Sequence, residues 1–82
     1  MDNNAYEKAL FTAQRISFAY EDLFGDENKR KLFGAIFDRF LLPVDPGGRL
    51  EPYDAIIALW RQNPDEFNQM VRELKESSLI ED

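Results

Sequence analysis

The sequence contains no cysteine and no histidine. Without cysteine, neither a disulfide framework nor a thiolate metal site is open to the chain. Without histidine, it lacks the side chain that most often serves as a general base and most often ligates transition metals. Carboxylate chemistry remains, but most hydrolytic constellations do not. Glycine and proline are sparse, four of each, so each one that does occur reads as punctuation between longer elements. Cations are outnumbered, ten Lys and Arg against sixteen Asp and Glu, for a formal charge of −6. A chain with that balance is not built to grip a phosphate backbone, which takes clustered cations. No apolar run approaches the roughly 18 residues of a membrane span. The opening Met1-Asp2-Asn3-Asn4 has neither the basic start nor the apolar stretch of a signal peptide. The expectation is a soluble, cytoplasmic protein.

What the chain does have is helical periodicity. Its 82 residues are enough for one small domain, and a domain of that size is marginal alone, so a partner subunit would help it. The predicted fold class is all-α, a single domain of four helices at about 4–24, 27–41, 52–62 and 64–76, with an acidic tail at 77–82. Helices two to four form the compact part beside a long first helix.

The boundaries come from particular residues. Asn3 or Asn4 suits the cap of helix one, with Glu7 as a capping-box acceptor. Gly25 is placed to end that helix in a left-handed turn, and Asp26 to cap the next. Phe33, Ile36, Phe37 and Phe40 keep the i, i+3, i+4, i+7 spacing of a buried stripe. Gly34 interrupts them, and a close helix crossing would explain it. Pro43 stops helix two, and Asp45-Pro46-Gly47-Gly48 is a turn. Pro52 opens helix three, where Tyr53, Ile56, Ile57 and Trp60 repeat the stripe and place Trp60 in the core. Asn63-Pro64-Asp65-Glu66 caps helix four, where Phe67, Met70, Val71 and Leu74 repeat it again. The turn between helices three and four is so short that they should form an αα-hairpin. Leu79-Ile80 either folds back or stays mobile.

Three constellations were weighed for chemistry. Residues 43–54 have the outline of a calcium-binding helix–loop–helix, but the register puts Pro43 and Gly47 at ligand positions. Only Asp45 and Asp54 are left to serve an ion that takes six or more oxygens, so no metal and no cofactor is expected. Glu21-Asp22, Asp26-Glu27 and Asp65-Glu66 are carboxylate pairs, yet adjacent helical residues point about 100° apart and do not share a site. No nucleophile with an orienting base accompanies them, so no catalytic residue is assigned. Lys29-Arg30-Lys31 is too short a basic run for base reading.

Helix one carries the sharper signal. Tyr6, Leu10, Ala13, Ser17, Tyr20 and Phe24 fall on one side, with Ala9, Ile16 and Leu23 along its edge, and form a complete core face. Phe11 and Phe18 lie seven residues apart on nearly the opposite side, with Arg15 between them. Either helix one packs on both sides, or Phe11, Arg15 and Phe18 are a partner-binding surface. In a symmetric pair the stripe would meet itself antiparallel, each Phe11 near the partner's Phe18. Leu41, Leu42, Leu59, Leu79 and Ile80 add apolar surface, some of which should remain outside a core this small.

The run from Tyr20-Glu21-Asp22-Leu23-Phe24-Gly25 through Lys29-Arg30-Lys31-Leu32-Phe33 to Phe40, followed by Glu51-Pro52-Tyr53-Asp54-Ala55, resembles a family of small helical proteins from the structural gene clusters of tailed phages. The likeness covers about half the chain and consists mostly of hydrophobic spacing. In the later helix, Trp60-Arg61-Gln62-Asn63 stands where that family tends to carry Gly-Arg-Arg. The resemblance implies a small virion or head-assembly accessory protein that works by contact, in the host cytoplasm or the virion, and it carries over no functional residue. The expected function is therefore a non-catalytic protein–protein interaction module, with a protein partner that includes a second copy among the candidates. No direct nucleic acid, membrane or small-molecule substrate is expected. The alternative is a small acidic inhibitor that occludes a nucleic-acid-binding enzyme or regulator.

Overall fold

The computed structural model describes residues 3–81. It contains four helices, α1 (Asn3–Asp22), α2 (Glu27–Leu41), α3 (Pro52–Gln62) and α4 (Pro64–Glu76), and no strand among the described residues. The protein is thus an all-α, four-helix domain, as its periodicities require. No helix among the described residues is long and apolar enough to cross a membrane.

Local chemistry sets most boundaries. Asp26 accepts a hydrogen bond from the Lys29 amide at 3.1 Å and caps α2. Asn63 serves two helices at once. Its amide donates to the Leu59 carbonyl at the end of α3, and its side chain accepts from the Glu66 amide at the start of α4. The two helices therefore meet in a one-residue joint, shorter than the two or three residues expected. α1 already includes Asn3 and Asn4, so whatever caps it lies outside the described residues, as does Asp82 of the predicted tail.

The end of α1 differs from expectation. It stops at Asp22 rather than at residue 24, and Gly25 is not left-handed, since the positive φ values among the described residues belong to Gly48 and Ser78. The helix tightens into i→i+3 bonds instead: the Leu23 amide to Tyr20, Phe24 to Glu21 and Asp26 to Leu23. With the helix broken there, Phe24 swings away from the core and is 80 % exposed.

α1 packs chiefly on α3, α3 on α4, and α4 on α2. The core is built from Ala9, Ala13 and Ile16 of α1, Phe33, Ile36, Phe37, Phe40 and Leu41 of α2, Ala55, Ile56, Ile57 and Leu59 of α3, Phe67, Met70 and Leu74 of α4, and Leu79. The buried line of α1 takes Ala13 from the predicted face and Ala9 and Ile16 from its edge, while Tyr6 is exposed and Leu10, Ser17 and Tyr20 are half-buried. Small Ala9 and Ala13 let α1 lie close on α3. Tyr20 reaches across to α2, its ring centroid 5.2 Å from Phe33 and 5.4 Å from Phe37, which are themselves 4.8 Å apart edge to face. Trp60 is half-buried at the rim, its ring 5.7 Å from Tyr6, and not the core residue its spacing suggested.

Gly34 has no crossing beside it, because a Cβ built there would meet nothing within 4 Å. The close-crossing explanation is therefore wrong within the chain. Gly34→Ala is expected to stabilise the protein by about 0.5–1 kcal/mol through helix propensity alone. Its thermal midpoint should rise by roughly 4–8 °C per kcal/mol in a calorimetric scan.

The C-terminus folds back. The Leu79 amide donates to the Leu74 carbonyl at 2.9 Å and the Ser78 amide to Lys75 at 3.0 Å, with Ser78 left-handed at φ 59°. That is a Schellman motif with serine where glycine is usual. Leu79 lands buried against Leu74. Ser78→Gly is expected to stabilise by about 1 kcal/mol, because a side chain in that conformation costs energy that glycine avoids. Urea denaturation of parent and variant checks it, as a shift in midpoint at unchanged slope.

Candidate protein-binding face

α1 runs as an uninterrupted helix past the core, so its two sides are fixed by 100° per residue. With Ala9, Ala13 and Ile16 turned inward, Phe11 and Phe18 must point outward. Phe11 is 63 % exposed and Phe18 is 55 % exposed. Arg15 stands between them and is also exposed. Its guanidinium donates to the Glu81 carbonyl at 3.1 Å, tying the returning tail to this helix. The reading in which α1 packs on both sides is thereby excluded for the isolated chain. The three residues share one surface, and no element among the described residues covers the rings.

The tail extends that surface. Phe18, Leu23, Leu79 and Ile80 line an open groove of about 670 Å³, with Arg15 and Lys75 at its rim. Leu79 and Ile80 were not assigned to this site from the sequence, although a signal was present. Leu79 follows Leu74 by five residues, the separation of the hydrophobic contact in a Schellman motif. Of the other surplus apolar residues, Leu41 and Leu59 are buried and Leu42 is exposed.

The remaining polar groups perform structural work. The Asp45 carboxylate accepts from the Arg49 amide at 3.1 Å and the Leu50 amide at 3.0 Å, and its carbonyl accepts from Gly48 at 3.0 Å. Gly48 takes φ +60° in that turn, which favours glycine. The residue that might have ligated calcium therefore braces the α2–α3 loop. Among the described residues, no three or more Asp and Glu gather in a way that could hold a metal ion.

Arg39 of α2 and Glu73 of α4 form a hydrogen-bonded ion pair between the helices. The hydrogen bond from Arg39 holds the Glu73 carboxyl below the usual carboxylate range, and the same bond raises the Arg39 guanidinium. Because the Glu73 pKa is lowered on folding, its contribution is complete above the ordinary carboxylate range. That contribution is lost as pH falls through the lowered value. The contribution from Arg39 has the opposite sign and is lost only as pH rises into strong alkali. Both groups are solvated, so the pair orients two helices more than it stabilises them.

A second groove, of about 640 Å³, runs between α1 and α3. There Arg61 donates to the Tyr6 hydroxyl at 3.2 Å and lies 5.4 Å from the centre of the Tyr6 ring. Arg61 is thus held by the rim it belongs to. No protein-family model, curated protein or solved structure matches this chain, so its function is argued from the geometry alone.

Proposed function

We propose that this chain is a non-catalytic protein-binding module whose working surface is the outer face of α1, Phe11, Arg15 and Phe18. One observation carries the reading: two phenylalanine rings, both more than half exposed, stand in line on one helix, beside an open groove that mixes apolar side chains (Phe18, Leu23, Leu79, Ile80) with charged ones. Exposed rings in line are a cost in solution unless something covers them. The setting implied by the resemblance, a tailed-phage head or virion accessory protein acting by contact in the cytoplasm, suits such a module.

Magnitudes choose among occupants. A second copy meeting this face antiparallel would cover four rings, each little more than half available. At about 1.5–3 kcal/mol for a fully buried ring, the gain is roughly 4–7 kcal/mol. Association costs at least about 4 kcal/mol. The rings alone would make a self-pair only marginal, and a partner with its own wider apolar surface fits better. The acidic-inhibitor alternative has no comparable support, because the exposed carboxylates are divided among all four helices.

The test is capture from a lysate of the cell that makes the protein, with the parent and the Phe11→Ser, Phe18→Ser double variant as paired baits. The expected result is one or more proteins held by the parent and lost by the variant. Identical captured sets would remove α1's outer face from the function. A nucleic-acid enzyme retained by both baits would favour the inhibitor.

A further inference from the structure

We propose that two copies of this chain pair antiparallel through the outer flank of α2, about a twofold axis close to Gly34. At 100° per residue, Glu27, Lys31, Gly34 and Asp38 fall within about 60° of one another. They lie away from Phe33, Ile36 and Phe40, which face the core, while buried Phe37 and Leu41 border the flank on one side. This surface involves none of Phe11, Arg15 and Phe18, and the inference does not depend on their role.

Three features of the flank are self-complementary. Gly34 is the first. Mid-helix glycine is unfavourable, and open space surrounds its missing Cβ, so nothing inside the chain requires it. A second backbone approaching at that point would.

Charge is the second. Lys31 stands three residues before Gly34 and Asp38 four after it. A twofold axis near Gly34 brings each Lys31 to the partner copy's Asp38, giving two ion pairs of the same kind. Parallel pairing would set Lys31 beside Lys31, so the charges also select the orientation. Within one chain Lys31 pairs with Glu27, at 3.6 Å with both side chains at least three-quarters exposed. Asp38 is exposed and makes no ion pair among the described residues.

Shape is the third. At the N-terminal end of α2 the Phe24 ring projects 80 % exposed, held by the Arg30 guanidinium 5.1 Å from its centre. At the C-terminal end, Phe37, Leu41, Leu42, Leu50 and Pro52 line a mostly apolar hollow of about 160 Å³, with Asp38 and Asp45 also in its wall. Leu42 continues the helical backbone, with φ −57° and ψ −40°. Glu27, just after Phe24, and Leu42 lie about 10 and 12 Å from Gly34 along the helix. An antiparallel pair therefore brings the Phe24 end of each copy to the hollow end of the other. Both contacts close within one dimer and leave no open end for a filament.

Sedimentation equilibrium from low to high micromolar protein tests this, with far-UV circular dichroism as the check on folding. A monomer–dimer equilibrium is expected, weakened by added salt. Lys31→Glu alone and Asp38→Lys alone should each weaken it at least about tenfold by placing like charges together. The double change Lys31→Glu, Asp38→Lys should restore association to within about threefold of the parent, because the reversed pairs reform. Gly34→Leu keeps the proposal falsifiable should a charge variant misfold. It improves helix propensity in open space, so the monomer should melt no lower while the dimer is lost. Three results would overturn the pairing: a parent monomeric throughout, a double change no better than either single one, or a dimer indifferent to Gly34→Leu but abolished by Phe11→Ser, Phe18→Ser.

Discussion

Phe33→Ala is expected to cost about 3–5 kcal/mol, the loss typical of a fully buried ring truncated to a methyl group. The ring is 0 % exposed and sits between α1 and α2. Tyr20 of α1 packs against it from one side and Phe37 from along its own helix, so truncation opens a cavity with rigid walls. A domain of this length has roughly 4–12 kcal/mol of stability in all. The variant should melt on the order of 15–30 °C below the parent. It should also weaken the attachment of the end of α1 to α2, leaving Tyr20 packed on Phe37 alone. Phe33→Leu, which keeps most of the volume, should recover more than half of the loss. Differential scanning calorimetry of the three proteins decides the point. A Phe33→Ala protein melting within a few degrees of the parent would mean that the aromatic cluster is not the centre of the core.

The second large effect concerns binding. In Phe11→Ser, Phe18→Ser the two rings lose only the minor part of their surface that the chain already covers. The expected stability loss is about 1–2 kcal/mol for the pair, a shift of several degrees. Partner binding, which would cover the remaining surface, should fall by about a hundredfold. The contrast with Phe33 is the essential feature: Phe33 is fully buried while Phe11 and Phe18 are more than half exposed, so the proposed contact surface can be removed without emptying the core. Arg15→Ala should give a smaller binding loss. It should also free the Glu81 carbonyl, because the guanidinium that holds the tail is the same one that stands between the rings.

Much of this was legible in the sequence because the signals were local. The stripes of α2 and α4, the Asp26 and Asn63 caps and the proline starts of α3 and α4 are each decided within four residues. The outward direction of Phe11 and Phe18 followed from the same counting. The errors arose where tertiary packing chose between near-equal local options. On α1 a residue's angle gave its side but not the line of closest approach. That line follows Ala9 and Ala13, whose small size lets α3 come near, and leaves Tyr6 exposed. Phe24 was assigned to the core by extending the helix two residues too far. Gly25 had the identity of a left-handed cap, but the turn closed through successive i→i+3 bonds without it. Conversely, the C-terminal turn formed around Ser78, a residue that carries no strong signal for positive φ. Leu79 therefore entered the core and Ile80 reached the groove. The apolar hollow at the C-terminal end of α2 was not legible, because it depends on how the 45–55 loop folds back over Phe37 and Leu41.

The most direct measurement is site-specific photo-cross-linking. A benzophenone side chain is placed in turn at Phe11, at Phe18 and, as a control, at Gln69, an exposed position on α4. Each protein is then irradiated in a lysate of the cell that makes it. The expected result is the same discrete adduct from positions 11 and 18, absent at 69 and competed away by unlabelled parent but not by Phe11→Ser, Phe18→Ser. An adduct from position 69 with none from 11 or 18 would contradict the assignment of α1's outer face as the contact surface.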